Sequence, residues 1–267
     1  MIRELFQHKK QGVSFQMPRC KNCQEQTDNK YCPNCGQKTN VSRITLGGLL
    51  HDLPHAIFHI DRGILYNLIQ LFKRPGPAIN EYLEGKRKPF FHPASYLVIA
   101  LVLNYLVVKL TDLHFYDKGE LLSMSPLKAE AIREYDEMQW WFLEHTYIYI
   151  LFAISASSLF LYGIYKLSKQ TYNLAETAAV VLFTTAQGVL VQTFIYLCFG
   201  WIHSGSFLRT VESINMSILV LYASFVSFQL LASIRRIPVR LLMAFIAGFG
   251  LTAVWVASAY ILYLLLT

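Results

Sequence analysis

The chain has 267 residues, 54% of them hydrophobic and only 15% charged, whereas soluble domains carry about a quarter charged residues. This composition excludes an ordinary water-soluble globule and points to a bilayer as solvent. The net charge of +7 is unevenly placed: residues 1–93 hold 14 of the 24 Lys and Arg against 7 acidic residues, and the rest of the chain is balanced.

The first 20 residues contain Arg3, Glu4, Lys9 and Lys10 and no apolar run of 7 or more. No cleavable secretion signal is read there, and the first span is expected to direct insertion itself. A basic region beside membrane spans favours anionic headgroups and the cytoplasmic side over nucleic acid.

Residues 20–38 read CKNCQEQTDNKYCPNCGQK. Cys20, Cys23, Cys32 and Cys35 form two CxxC pairs separated by eight residues. Such short turns aim two sulfurs each at one point, and Zn²⁺ takes four thiolates at about 2.3 Å. Gly36 suits a positive φ and Pro33 stiffens the second turn, while Gln24 stands where the first turn has no glycine. Disulfides, redox chemistry and an iron–sulfur centre are the rivals; a cytoplasmic setting and a segment of about 20 residues with no strand–helix unit argue for structural zinc. A closed Cys₄ site leaves no position for a substrate. The basic neighbours Arg19, Lys21, Lys30, Lys38 and Arg43 would suit phosphates, but Tyr31 alone supplies aromatic character, so the ribbon is expected to dock on a protein partner rather than on nucleic acid.

Residues 44–93 are expected to form short amphipathic helices that lie in the inner headgroup zone or pack under the spans. Ile64, Leu65, Leu68, Ile69 and Phe72 recur at helical spacing as one apolar stripe, with Asn67, Gln70 and Lys73 off it. RPGP at 74–77 ends that helix, and a second runs from Pro77 to Glu84 and closes at Gly85. His51, His55 and His59 recur every four residues, but Asp52 as cap and Pro54 in the first turn leave only His55 and His59 aligned; interfacial polar residues are the plainer reading than a second metal site.

CxxC, YCPNCGQK, DRG at 61–63, RPG at 74–76, EYLEGKRKPF at 81–90 and Pro93 at the start of a span follow one another over residues 20–105. This succession resembles an uncharacterised bacterial family of zinc-ribbon-headed, multi-pass membrane proteins. The resemblance implies architecture and an inner-membrane location, and no reaction.

Five stretches are long enough for a hydrocarbon core of about 30 Å: 94–110, 146–165, 177–201, 213–234 and 241–266. Lys86, Arg87 and Lys88, then Lys166 and Lys169, then Arg235, Arg236 and Arg240 fall on one side, and the acidic loop 111–145 on the other. The positive side is the cytoplasm, which makes the topology N-in, C-out. Trp140, Trp141 and Trp201 read as interfacial anchors. With Lys109 set aside, no span contains Asp, Glu, Lys, Arg or His, which argues against an ion-coupled transporter. Gln187 and Gln192 bond between helices or line a polar passage. Ala244, Gly248 and Thr252 present a small-residue face to a neighbouring helix or a second copy, and Cys198 is a packing residue. His114 and the carboxylates of the 111–145 loop are too scattered to nominate as catalytic.

The expected architecture is an all-α integral membrane bundle of about five helices, divided into a zinc-ribbon segment (1–43), juxtamembrane helices (44–93) and the bundle (94–267). No phosphate loop, nucleophile elbow or HExxH is present, so the expected role is a non-enzymatic scaffold, sensor or regulatory subunit in the bacterial inner membrane. Membrane lipids, a cytoplasmic protein and further copies of the chain are the expected partners. Asp61, Arg62, Glu81, Lys86, Arg87 and Lys88 are the candidates for an anionic lipid or lipid-linked phosphate, the alternative in which the chain is an enzyme or carrier. An oligomeric small-solute channel is the third reading.

Overall fold

A computed structural model describes residues 18–51 and 63–266. The chain divides into two compact units, Met1–Ser42 and Arg43–Thr267. In the described part of the first unit, two isolated bridges, Arg19 with Gln26 and Tyr31 with Lys38, replace extended strands. No strand occurs among the described residues, and the second unit is helical.

The helices among its described residues are, in chain order, α1 (Leu46–His51), α2 (Gly63–Lys73), α3 (Pro75–Leu83), α4 (Pro93–Thr111), α5 (Lys118–Leu122), α6 (Pro126–Glu144), α7 (Thr146–Leu167), α8 (Leu174–Phe199), α9 (Gly205–Leu230) and α10 (Ile237–Leu266). Among the described residues, five are long and apolar enough to cross a membrane: α4, α7 from Ile148, α8, α9 and α10. Helix α8 is the centre, with 61% of its apolar window buried against 28–33% for the other four. Its small residues, including Ala175, Ala178, Ala179 and Ala186, admit close neighbours. Its start is a capping box: Asn173 Oδ1 accepts from Glu176 N at 2.8 Å and Asn173 N donates to Glu176 Oε2 at 2.9 Å.

The helices between the ribbon and the first span pack into the bundle. Leu71, Ala78 and Ile79 are fully buried, in a core shared with α4, α7, α8, α9 and α10. The polar residue Asn67 is also fully buried, while Leu65 and Phe72 of the apolar stripe are 61% and 71% exposed. The stripe therefore faces outward, where lipid can solvate it, and the helix packs inward through Asn67 and Leu71. Asn67 meets backbone there: Nδ2 donates to Phe91 O and Oδ1 accepts from Phe91 N, each at 3.1 Å. An amide can satisfy both backbone groups of one residue, which an apolar side chain cannot.

The broken backbone between α2 and α3 is likewise satisfied from the bundle. Tyr222 Oη donates to Leu71 O at 3.1 Å, and Gly76 N donates to Gln229 Oε1 at 2.7 Å. A Cβ at Gly76 would lie 2.3 Å from Gln229 Cβ, so only glycine fits. Gln187 stands about 20 Å along α8 from Leu174, at 1.5 Å per residue; its Oε1 accepts from Tyr96 Oη at 2.7 Å and its Nε2 reaches Leu68 O at 3.5 Å. The α2–α3 pair is thus wedged among the spans, the one setting in which interrupted helices are tolerated at membrane depth.

The 111–145 segment, expected as a loop, contains α5 and α6. Asp136, 3% exposed, accepts from Phe115 N at 2.8 Å and lies 2.8 Å from His114 Nδ1. Arg209 of α9 donates to Phe115 O at 2.6 Å and pairs with Glu120. Thus His114 and two carboxylates of the supposed loop are structural ties. Cys198, read as a packing residue, is exposed. The small face of α10 meets α9 within the chain: a Cβ on Gly248 would lie 2.4 Å from Ser224 N and 2.7 Å from Ser224 Cα.

Candidate metal centre and basic collar

The two thiol pairs sit in two turns built alike, twelve residues apart. Cys20 N donates to Glu25 O as Cys32 N does to Gln37 O, both at 2.8 Å; Gln24 N donates to Cys20 O at 2.9 Å and Gly36 N to Cys32 O at 2.8 Å. Gln24 and Gly36 occupy the same left-handed backbone, φ 64° and 72°. Gln24 therefore follows the glycine geometry, at the steric cost any Cβ carries there.

Ligand atoms of Cys20, Cys23, Cys32 and Cys35 lie within 4.8 Å of one another. Sγ of Cys20 is 3.6 Å from that of Cys35, and Sγ of Cys23 is 3.5 Å from that of Cys32. A tetrahedral ion with metal–sulfur bonds of about 2.3 Å needs sulfurs about 3.8 Å apart, whereas a disulfide needs about 2.05 Å. The spacing fits four ligands of one metal ion and no bonded pair, and all four cysteines are free. Cys20 and Cys32 are buried, Cys23 and Cys35 partly so.

The thiols are electrically unequal. Burial opposes ionisation of Cys35, but hydrogen bonds from the Asn22 side chain, the Gln37 backbone and the neighbouring thiols outweigh it and bring it down to about 6. At Cys23 the Glu25 backbone favours the thiolate, yet burial and sharing of its proton with Cys32, Cys35 and Cys20 push it up to about 11. The cluster holds a thiolate near neutrality, and a bound dication would displace the other protons.

The second unit begins with a clamp. Arg43 embraces Glu176 in a bidentate pair, Nε to Oε1 at 2.8 Å and Nη2 to Oε2 at 2.5 Å, and also donates to Thr171 O at 2.9 Å. Glu176 is 4% exposed, so this ion pair is desolvated on one side and geometrically specific. Sequence reasoning placed Arg43 among phosphate-seeking cations; the structure gives it to Glu176.

Of the residues nominated for lipid phosphate, Glu81 and Lys86 are joined at 2.8 Å, and Arg74 completes the cluster with two contacts to Glu81. The Arg74 hydrogen bonds, ahead of the opposing effect of burial and the help of Lys86, hold the Glu81 carboxyl below its ordinary 4.5. Arg87 lies over the Tyr82 ring at 5.7 Å. Asp61 and Arg62 lie outside the described residues, as do His55 and His59; His51 closes α1. Sequence reasoning missed Arg74, although its seven-residue separation from Glu81 is a two-turn helical spacing that would have shown the pair.

Gln170 at the turn after α7 bonds Ser233 at the turn after α9, and Tyr172 Oη donates to Asn80 Oδ1 at 2.7 Å. Those bonds gather Lys166, Lys169, Arg235, Arg236 and Lys86 at one end of the bundle. The opposite end carries α5, α6 and the Arg209–Glu120 pair.

Ionisable groups inside the span helices escaped the sequence reading: Glu176 in α8, and Arg209 and Glu212 in α9. Helix α9 begins at Gly205 rather than at 213, which brings Glu212, 5% exposed, into it. Tyr196 Oη donates to Glu212 Oε2 at 2.7 Å, and Gln192 Nε2 donates to Tyr196 Oη at 2.9 Å. The absence of charged residues from the spans therefore does not hold, and Gln192 serves this chain while Gln187 serves Tyr96.

Residues 61–104 match a family described as Protein of unknown function (DUF3667). The match covers α2, α3 and the first part of α4, together with the DRG, RPG and EYLEGKRKPF sequences. No curated protein and no solved structure matches the chain. That family description carries no activity, so the chemistry of the site rests on its own residues.

Proposed function

We propose that this chain is a non-enzymatic multi-pass protein of the bacterial inner membrane, in which a cytoplasmic zinc ribbon recruits or senses a cytoplasmic protein. It acts as a scaffold, sensor or regulatory subunit. The observation that carries this reading is the tetrahedral fit of four thiols in a compact unit divided from the helical one. A closed Cys₄ shell supplies folding energy and leaves no coordination position for chemistry. When bound, zinc would hold the two turns together; the chain's own amides at Glu25, Gln37, Gln24 and Gly36 set where the sulfurs point.

The collar supports the orientation. Lys86, Arg87, Lys88, Lys166, Lys169, Arg235, Arg236 and Arg240 stand at helix ends where cations favour an anionic cytoplasmic leaflet by about 1 kcal/mol each. Glu81 and Lys86 spend charge on each other, which favours anchoring over a dedicated phosphate site. Deletion of residues 1–42, which leaves the Arg43–Glu176 clamp in place, tests the reading: partner proteins co-purify with the full chain and are lost from the truncated one, while membrane insertion persists. Retention of the same partners by the truncated chain would overturn it.

A further inference from the structure

Glu212 and Asn215 stand three residues apart on α9, on one face of the helix. Both are buried, at 5% and 0% exposure. Their hydrogen bonds do not balance. Glu212 Oε2 accepts from Tyr196 Oη at 2.7 Å and, more weakly, from Asn215 Nδ2 at 3.4 Å. Glu212 Oε1 and Asn215 Oδ1 have no partner among the described residues, and solvent reaches neither. Both orphaned atoms are acceptors, so what would satisfy them is a donor or a positive charge.

No cation of the chain supplies it. Arg209, one turn earlier on α9, donates to Phe115 O and pairs with Glu120. Helix α8 brings only the Tyr196 hydroxyl, itself held by Gln192. Helix α6 brings Tyr135 within electrostatic reach, and beside it Asp136, which is turned toward His114 and Phe115 N. Among the described residues Glu212 forms no ion pair. A carboxylate buried without a counterion is one of the costliest arrangements a fold can hold. Because neither orphaned oxygen is open to solvent, a hydrated metal ion has no room beside them. A proton removes the charge and needs no space.

We infer that Glu212 is a proton-binding site: its carboxyl carries a proton in the closed bundle and gives it up when α8 and α9 part enough for water to reach it. The proton turns one carboxyl oxygen from acceptor into O–H donor, and Asn215 Oδ1, in the same turn, is an unclaimed acceptor. Release is a plain dissociation. The carboxyl O–H bond breaks, its electron pair stays on the oxygen, and the proton passes to water. Proton loading and the α8–α9 contact therefore favour each other. Ionisable groups inside membrane bundles serve proton binding and relay in this way. The site is separate from the ribbon and from the basic collar.

Infrared spectroscopy of the full chain in lipid vesicles near neutral pH tests this, with the glutamate carboxyl carbons isotope-labelled. The parent chain shows the C=O band of a protonated carboxyl, and the band moves with the label. Glu212→Gln removes it, and Glu212→Asp leaves no band that responds to labelled glutamate. Unfolding in weakly buffered detergent releases about one more proton from the parent than from the Glu212→Gln chain. An ionised carboxylate solvated by an internal water gives no such band, and that result would overturn the assignment. A labelled band that survives Glu212→Gln, or equal proton release from the two chains, would do the same. The labelled parent chain decides the negative case even if a variant fails to fold.

Discussion

Single residues carry the two properties that most define this molecule. Replacement of Cys20 or Cys32 by Ser removes a buried thiolate from a four-ligand shell, and metal content by elemental analysis falls from one ion per chain to near zero. Gly36→Ala places a Cβ at φ 72° and destabilises the ribbon by about 1 kcal/mol, read as a lower chelator concentration at half release of metal. The thiol positions were legible because their spacing is covalent and local. Asn67 was not. On a helical wheel it falls on the polar side, and nothing local records that Phe91, distant in sequence, presents an unpaired backbone N–H and C=O beside it. Asn67→Leu leaves both groups buried and unsatisfied and lowers stability by about 2–4 kcal/mol, measurable by denaturation in detergent micelles. A neutral result would mean that the bond pair contributes nothing.

At the scale of elements, the five spans were legible from length and apolarity, because a bilayer imposes both on any crossing helix. Their ends were less so. Helix α9 starts with Gly205, Arg209 and Glu212, residues that read as loop until Arg209 is seen to serve Phe115 and Glu120, and Glu212 to serve Tyr196. The α2–α3 wedge was visible as two helices and a break, but its inward contacts through Asn67 and Leu71 were not, because the polar side of the helix gives no sign that it meets backbone rather than water. Contact between α9 and α10 rests on Gly248; Gly248→Leu forces the helices apart at Ser224 and costs about 1–3 kcal/mol, seen as a lower melting temperature. The Arg74–Glu81–Lys86 cluster gives α3 a dependence on pH. Since the folded-state pKa of Glu81 is depressed, its contribution to stability is present above the ordinary carboxylate value of 4.5 and is lost as pH falls through the lower folded value. Acid unfolding should shift less steeply in the Glu81→Gln chain, and an unchanged acid limb would remove this cluster from the account.

For the whole molecule, the central claim is that thiols and cations share one compartment while the five apolar helices lie in lipid. Charge asymmetry along the sequence pointed to this arrangement, and the gathering of Lys166, Lys169, Arg235 and Arg236 at one helix end is consistent with it. A membrane-impermeant maleimide applied to sealed vesicles tests compartment and metal together, in a chain whose exposed Cys198 is replaced by Ser. The account predicts labelling of Cys20, Cys23, Cys32 and Cys35 in inside-out vesicles alone, and there only after a chelator has stripped the metal. Labelling from the outer face, or labelling without chelator, would contradict it.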